Sequence, residues 1–425
     1  MKVQRTLAPS AAPINWRDLV HGLASLLRPQ ATRRRLEAEF REYFGVKHVW
    51  FVSSGKAALS LILHALHSLS GRQKVVVPGY TCFSVPSAVV RAQMSVALCD
   101  IDPLSFDLDH DQLAQMADST VLCVLATHLL GIGADVPQIV EICRQRGIFV
   151  VEDVAQAFGG DCEGKPFGTM SDVAFLSFGR GKNISCGSGG AILSNDDRIG
   201  EAITHEYARL PEESVLGMLK NWLEVAATQL LIMPSCYWLP AGLPFLKLGE
   251  TRFETDFLVT RMDSVRAGLL RGWKKRLVHA TRTRITHAEQ LLRLLASSPI
   301  QAIRPSGQNH SVYLRLPLLL RSRQEKEALC RASVEQGLGV SSMYPSSVQD
   351  IPELRTELQS QAVPQATMMA ERLVTLPTHE FVTAHDLARI SRAIQEIQRP
   401  EGVGPERSST APNDRRTISE MPRVS

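Results

Sequence analysis

From residue 45 onward, short apolar runs rich in β-branched residues alternate with helical stretches, and this alternation constrains the fold more than any other feature. Five such runs lie at 49–52, 75–78, 96–101, 121–126 and 148–153. They are apolar on both faces, as is typical of strands in a parallel sheet that helices cover on both sides. Two further runs, at 173–178 and 189–194, have no long helix between them, which favours some antiparallel pairing. The sequence therefore predicts an α/β fold with a large, mostly parallel sheet.

The pattern divides the chain into four segments. We predict an N-terminal arm and helix at 1–44, a large α/β domain at 45–250, a smaller C-terminal α+β domain at 251–398 and a disordered tail at 399–425. The tail is predicted to be disordered because it has few large apolar residues and many turn formers.

The smaller domain has its own predicted elements. In order, they are a long helix over 264–295, a strand over 312–320, a helix over 325–336, a strand over 339–345 and a closing helix over 384–397. This mixture of a few strands with longer helices is typical of an α+β unit.

Charge and composition exclude several classes of protein. The 47 Lys and Arg residues are nearly balanced by 43 Asp and Glu, which leaves a net charge of +4, so we expect no nucleic-acid partner. The eight cysteines are far apart and form no C-x-x-C pair, so neither a structural metal site nor a disulfide framework is expected. Because the N-terminus lacks the continuous apolar stretch of a signal peptide, we expect a cytoplasmic protein.

The stretch over 225–246 carries no charge. Pro234, Pro240 and Pro244 interrupt it, which argues against a single membrane-spanning helix. Two interpretations stay open. The stretch is either a buried connector or subunit contact, or an apolar surface that makes weak contact with a membrane or with an apolar part of a substrate.

The first candidate for ligand binding is the start of the helix that follows the run at 49–52. Ligands of open α/β sheets bind at the carboxyl ends of strands, where Ser54, Gly55 and Lys56 lie. Small residues at a helix N-terminus can present backbone N–H groups to an anion such as phosphate. On its own this motif is more often a plain helix cap.

The second candidate is the pair of carboxylates Glu152 and Asp153 at the end of an apolar run. Because successive residues of a strand point to opposite faces, we expect one of them to face a ligand. A buried Asp beside a heterocyclic nitrogen would keep that nitrogen protonated. A helix-capping or salt-bridged Asp is the alternative.

The third candidate is Lys182, which follows Gly179 and Gly181 after the run at 173–178. The spacing does not match a Walker loop, because Asn183 stands where the hydroxyl residue should be. A lysine on such a turn can instead act as an amine nucleophile that forms a Schiff base. A solvated surface lysine is the alternative.

Taken in order, the motifs resemble one known family. They are SGKAAL at 54–59, PGYT at 78–81, DID at 100–102, HLLG at 128–131, EDVAQA at 152–157, SF at 177–178, GKN at 181–183, RM at 261–262, MYP at 343–345 and LPTH at 376–379. Their order and spacing resemble those of the DegT/StrS-type sugar aminotransferases over roughly residues 45–398.

The resemblance implies the fold type I architecture of pyridoxal 5′-phosphate (PLP) enzymes. It also implies transfer of an amino group, usually from glutamate, to a keto sugar linked to a nucleotide. By this resemblance Lys182 matches the lysine that binds PLP, and Asp153 matches the carboxylate that pairs with the pyridine nitrogen. Gln156 is then expected near the cofactor ring, the Ser177 hydroxyl at the phosphate, and the backbone amides of Gly55 and Lys56 at the phosphate.

The chain departs from the family pattern in several places. Cys82, with Tyr80 nearby, stands where an aromatic residue normally stacks on the cofactor; both are expected beside PLP. Val259 replaces an asparagine that reaches the neighbouring subunit's cofactor, and Met343 and Gln349 replace two histidines. The identity of the sugar therefore does not carry over from the resemblance.

The resemblance favours a homodimeric aminotransferase that acts in polysaccharide or glycoconjugate biosynthesis. One alternative is a PLP-dependent lyase or dehydratase, but that branch of the family replaces the lysine with histidine, and Lys182 argues against it. Another is a non-catalytic protein that keeps the fold. Retention of both Lys182 and Asp153 argues against this alternative, since charged residues in a cleft are costly to keep.

Overall fold

The computed structural model describes residues 4–243 and 251–398. The longer helices, in chain order, are α1 (Trp16–Ala24), α2 (Pro29–Phe44), α3 (Gly55–Ser70), α4 (Ser84–Arg91), α5 (His110–Met116), α6 (Val136–Arg144), α7 (Asp197–Ala208), α8 (Val215–Leu231), α9 (Trp238–Ala241), α10 (Ser264–Leu269), α11 (Trp273–Leu294), α12 (Arg323–Gln336), α13 (Arg355–Leu358), α14 (Pro364–Arg372) and α15 (Ala384–Gln398). The strands are β1 (His48–Val52), β2 (Lys74–Pro78), β3 (Ser95–Cys99), β4 (Val121–Thr127), β5 (Phe149–Asp153), β6 (Asp161–Cys162), β7 (Lys165–Pro166), β8 (Val173–Ser177), β9 (Gly190–Ser194), β10 (Gln301–Ala302), β11 (Asn309–His310), β12 (Arg315–Leu319) and β13 (Leu373–Pro377).

The main sheet has seven strands in the order β1-β9-β8-β5-β4-β2-β3. Five neighbouring strands of this sheet are parallel: β3, β2, β4, β5 and β8. Strand β9 pairs antiparallel with both β8 and β1. This confirms the predicted α/β fold, including the antiparallel pairing of the runs near 173 and 190. The carboxyl ends of β5 and β8 thus lie side by side.

Helices cover both faces of this sheet. Along β2, Val75 and Val77 belong to the apolar cluster that contains α3, whereas Val76 belongs to the cluster that contains α5 and α6. Alternate residues thus point to opposite, equally buried faces, which is why the strands are apolar throughout. Helix α2 buries the apolar side that the sequence predicts: Leu36, Phe40 and Phe44.

The C-terminal part contains a three-stranded antiparallel sheet in the order β10-β12-β13. Its core is formed by residues of β12, β13, α11, α12 and α15, and Leu7 from the N-terminal arm joins it. Residues of α10 and the first turns of α11, such as Leu269 and Leu277, instead share a cluster with α2 and β8. The predicted boundary after residue 250 stays a prediction, and the predicted tail at 399–425 lies outside the described residues.

Three local predictions for the C-terminal part are corrected. The helix predicted over 264–295 is two helices, α10 and α11, because the chain turns at Gly272 so that α10 can pack against α1 and α2. The strand predicted over 312–320 covers only β12. The strand predicted over 339–345 is a loop with a single bridge from Ser341 to Thr375. It cannot continue as a strand because Met343 takes a φ of 60°, which turns the chain.

The charge-free stretch contains the end of α8, a turn and α9, while its last three residues lie outside the described part. Val225, Pro234 and Pro240 are buried. Leu230 and Leu231 are 65% and 37% exposed, so the described part of the stretch is only partly buried in the single chain. Within residues 4–243 and 251–398, no helix combines the length and apolar character needed to cross a bilayer.

Candidate active site

A cavity of about 180 Å³ lies where β5, β8 and the start of α3 meet. Its lining residues are Ser54, Gly55, Lys56, Leu59, Cys82, Ser84, Val85, Asp153, Ala155, Gln156, Phe175, Ser177 and Lys182. Of the eight residues that the family resemblance places at the cofactor, seven thus come together; the eighth, Tyr80, does not line the cavity. The site lies at the carboxyl ends of parallel strands, as expected for an open α/β sheet.

Lys182 reaches the cavity from a tight turn that follows β8. Gly181 has a φ of 76°, a conformation that glycine adopts without strain. Ser10 of the N-terminal arm donates a hydrogen bond from Oγ to the Gly181 carbonyl over 2.7 Å, which holds the turn. Burial lowers the pKa of Lys182, while Cys82 and Asp153 act against this shift. Burial therefore favours the neutral amine, which is the nucleophilic form.

Asp153 ends β5 and is buried in the cavity wall. Its Oδ1 accepts a hydrogen bond from the Ala155 N–H over 2.9 Å. The other oxygen, Oδ2, has no hydrogen-bond partner in the described part of the chain. Burial raises the pKa of Asp153, whereas the Ala155 N–H and the charge of Lys182 lower it. The site thus offers one free carboxylate oxygen in a poorly solvated environment.

Glu152 faces the other side of the sheet and is fully buried. It accepts hydrogen bonds from the ring of His128 over 2.9 Å and from the N–H groups of Gly168 and Met170. The sequence left open which of the two carboxylates meets a ligand. In the structure Asp153 lines the cavity, whereas Glu152 has a structural role on the other face of the sheet.

The start of α3 forms another wall of the cavity. Ser54 caps the helix by accepting a hydrogen bond from the Ala57 N–H, and the first N–H groups of a helix have no partner within it. A Cβ at Gly55 would lie 2.9 Å from the Cβ of Ser177, so only glycine lets the helix approach β8 this closely. The amine of Lys56 pairs with Glu254 over 2.9 Å. The backbone N–H of Lys56, and not its amine, is therefore the group available to a ligand.

Gln156 in the cavity wall is hydrogen-bonded to a tyrosine of the C-terminal part. Gln156 donates from Nε2 to the hydroxyl of Tyr344 over 2.8 Å. The hydroxyl of Tyr80 accepts from the Tyr344 N–H over 3.4 Å, and the two rings are 5.3 Å apart. Tyr80, expected beside PLP, is buried against Tyr344 and does not line the cavity, so its place at the cofactor stays a prediction. Cys82 lines the cavity as expected.

Sequence reasoning did not select Ser84, Tyr344 or Arg315 as site residues. Tyr344 stands in a quoted motif, so its position carried a signal. Arg315 interrupts the apolar run over 312–320, and a charged residue inside an apolar strand is a signal of function that could have been used. Ser84 stands at the start of α4 and carries no signal of its own.

The residues of the cavity fit PLP. The free oxygen of Asp153 can meet the protonated ring nitrogen, and the amine of Lys182 can bind the aldehyde. The start of α3 and the hydroxyl of Ser177 can hold the phosphate, since a helix N-terminus favours an anion. Each of the three reactive or charged groups of PLP thus has a matching group in one cavity.

Comparison with known proteins is consistent with this site. Residues 25–222 and 247–395 match the model of the DegT/DnrJ/EryC1/StrS aminotransferase family. GDP-perosamine synthase of Vibrio cholerae is 30% identical over 193 residues, which are 45% of this chain and 51% of that protein. UDP-N-acetyl-3-dehydro-α-D-glucosamine 3-aminotransferase of Acidithiobacillus ferrooxidans is 25% identical over 85% of this chain and 87% of that protein. The chain spans about half the length of the GDP-perosamine synthases that it matches.

Solved structures share the fold. PseC of Helicobacter pylori, described as an aminotransferase involved in the biosynthesis of pseudoaminic acid, superposes with a TM-score of 0.75 at 14% identity; the match covers 92% of this chain and 99% of that one. The PMP form of the sugar aminotransferase Spr1654 of Streptococcus pneumoniae gives a TM-score of 0.74 at 18% identity, over 92% and 98% of the two chains. With the family model matching most of its length, this chain belongs to the DegT/DnrJ/EryC1/StrS aminotransferase family.

Proposed function

We propose that this protein is a PLP-dependent aminotransferase that transfers an amino group, with glutamate as the donor, to a nucleotide-linked keto sugar. The observation that carries the proposal is the joint presence of Lys182, a free oxygen of Asp153 and the start of α3 in one cavity. The names of the relatives support the substrate class, since they describe enzymes that act on GDP- and UDP-linked sugars.

Bound PLP would supply an electron sink that stabilises negative charge at the carbon bearing the amino group. Lys182 would bind the cofactor and move a proton at that carbon. Burial lowers the pKa of its amine, which favours the neutral form that can accept a proton. Asp153 would hold the proton on the ring nitrogen through its free Oδ2. The hydrogen bond between Gln156 and Tyr344 would fix the wall beside the ring.

The reaction belongs, in this proposal, to the cytoplasmic synthesis of a polysaccharide or glycoconjugate. The described biosynthetic role of PseC supports this setting. Lys182 argues against a dehydratase, because the dehydratase branch of the family has histidine at this position.

We further propose that the protein is a homodimer. Eleven exposed large apolar side chains lie in two segments, one formed by α1 and the turn after it and the other by α8 and the segment after it: Trp16, Val20, Leu27, Val215, Leu216, Leu219, Leu223, Leu230, Leu231, Met233 and Leu239. Helices α1 and α8 touch, for Trp222 donates from Nε1 to the Leu19 carbonyl over 2.9 Å. Soluble monomers rarely expose large apolar patches, and a two-fold dimer would bury the exposed side chains of these two helices.

Borohydride trapping tests the proposed activity. The protein loaded with PLP is reduced and digested, and the labelled peptide is identified by mass spectrometry. We expect the label on Lys182, and the same label position in Lys56→Arg, which alters the other lysine of the cavity. Lys182→Arg should lose both the label and amino transfer from glutamate to a panel of nucleotide keto sugars. A label on a different lysine, or no PLP uptake, would contradict the proposal.

A further inference from the structure

Arg315 is half-buried, and its guanidinium has few partners in the described part of the chain. Its Nη1 donates to Ser341 Oγ over 3.3 Å and to the sulfur of Met343 over 3.5 Å. A thioether is a weak acceptor. Its Nε and Nη2 find no acceptor in residues 4–243 and 251–398, and no carboxylate there forms an ion pair with it. Most of its hydrogen-bonding capacity is therefore unused.

The neighbouring Arg284 shows what a structural arginine in this region looks like. It is 1% exposed, and it donates from Nε to Asn183, from Nη1 to the Leu314 carbonyl and from Nη2 to the Ala11 carbonyl, at 2.7 to 2.9 Å. All three of its nitrogens are thus occupied. Arg315 follows Leu314 in the chain, but the described residues give it no comparable set of acceptors. Contacts within the protein therefore do not explain why a charged residue lies here.

Arg315 lies at the edge of the active site. Met343, which it contacts, precedes Tyr344, and the Tyr344 hydroxyl is bonded to Gln156 in the cavity wall. The charge of Arg315 is also close enough to Lys182 to help lower the pKa of that amine, after burial itself. Lys182 thus lines, and Arg315 lies near, a cavity in which Asp153 is the acidic lining residue. Such a site attracts an anion.

We propose that Arg315 binds a substrate carboxylate next to the reacting carbon, through its free Nε and Nη2. This inference rests on the proposed aminotransferase function. The fork of a guanidinium matches the two oxygens of a carboxylate, and a charge-assisted bidentate pair also fixes orientation. The start of α3 would hold the cofactor phosphate, so Arg315 is not needed for that group. A carboxylate on the reacting carbon is what an amino-acid donor carries, and a keto sugar acid carries one on the same ring.

Binding of unreactive probes to the PLP-loaded enzyme tests this role. Glutarate represents the amino donor, and D-glucuronate represents a sugar acid; their dissociation constants are measured by calorimetry. We expect Arg315→Gln to weaken binding of at least one probe by about 10- to 100-fold. Arg315→Lys, which keeps the charge but not the fork, should give an intermediate value. The probe that loses affinity identifies the source of the carboxylate.

Controls separate this role from a structural one. Arg321→Gln, at an exposed arginine just after β12 that pairs with Glu325, should bind both probes like the wild type. PLP content and thermal midpoint should be equal in all variants. Unchanged affinity of Arg315→Gln for both probes, a loss confined to the diphosphate probe UDP, or loss of PLP in both Arg315 variants would overturn the inference. Failure of the wild type to bind PLP at Lys182 would instead defeat the proposed function.

Discussion

Glu152 and Asp153 are adjacent in the chain, yet their carboxylates lie on opposite faces of the main sheet and have opposite surroundings. Glu152 is enclosed by donors on its side. Asp153 has a single backbone donor and one free oxygen toward the cavity. Because strand residues alternate between faces, a one-residue step separates a structural acid from an acid available to a ligand.

Asp153→Asn should keep the fold and lower the rate of amino transfer by about 10²-fold, because a neutral amide no longer stabilises the protonated ring nitrogen. Single-turnover rates with glutamate measure the effect. Near-normal rates would show that Asp153 is not the partner of the ring nitrogen.

The matched substitution Glu152→Gln should act on stability instead. An amide nitrogen cannot accept the hydrogen bonds of the Gly168 or Met170 N–H groups, so the free energy of unfolding should fall by about 3 kcal/mol. Urea unfolding measures it. Equal stability of Glu152→Gln and the wild type would contradict the structural role.

Gly55→Ala should weaken PLP binding by about tenfold, because its Cβ would meet the Cβ of Ser177 at 2.9 Å and displace the wall expected at the phosphate. Gly179→Ala is the control, since its Cβ would lie 3.4 Å from Ser177 Oγ, an ordinary contact. Equilibrium dialysis gives both dissociation constants. Equal values would mean that the start of α3 does not approach the cofactor.

His379 should make stability depend on pH. Its Nε2 donates to the Ala8 carbonyl over 2.8 Å, and its buried Nδ1 has no partner in the described chain. Burial, aided by the charge of Arg284, lowers the pKa of His379 from 6.5 to about 3. Between these two pKa values the imidazole of His379 binds a proton in the unfolded chain but not in the folded one. The contribution of His379 to the free energy of unfolding is therefore complete above pH 6.5 and decreases as the pH falls toward 3.

The measurement compares urea unfolding of the wild type and His379→Gln across this range. The stability advantage of the wild type should shrink with falling pH, by at most about 1.4 kcal/mol per pH unit. An advantage that stays constant or grows on acidification would contradict the pKa shift.

Leu223→Glu and Leu230→Glu should break the proposed dimer without unfolding the chain, because both side chains are exposed in the single chain. Light scattering should give twice 46.9 kDa for the wild type and one chain mass for the variants. Val334→Glu, exposed on α12, is the control and should stay dimeric. A wild type that is monomeric and floats with anionic liposomes would show that this surface binds lipid instead.

The sequence by itself determined the α/β class, the positions of the main strands and the members of the site that follow them. This was possible because two-sided burial makes a parallel strand apolar throughout, and because ligands bind where such strands end. Lys182, Asp153 and Gly55 could be predicted in this way. Their roles toward PLP came from the order of the motifs, which resembles that of the aminotransferase family.

Only the tertiary structure decided which groups are free to act. The local sequence does not show that Glu152 is enclosed by donors, that Tyr80 is buried against Tyr344, or that Arg315 lacks, among the described residues, the acceptors that Arg284 has. These facts depend on segments that are distant in the chain. Gln156 is hydrogen-bonded to Tyr344, and Ser10 is hydrogen-bonded to Gly181 in the turn that carries Lys182. Hydrogen bonding and burial are set by such neighbours, and a pattern along one segment carries no record of them.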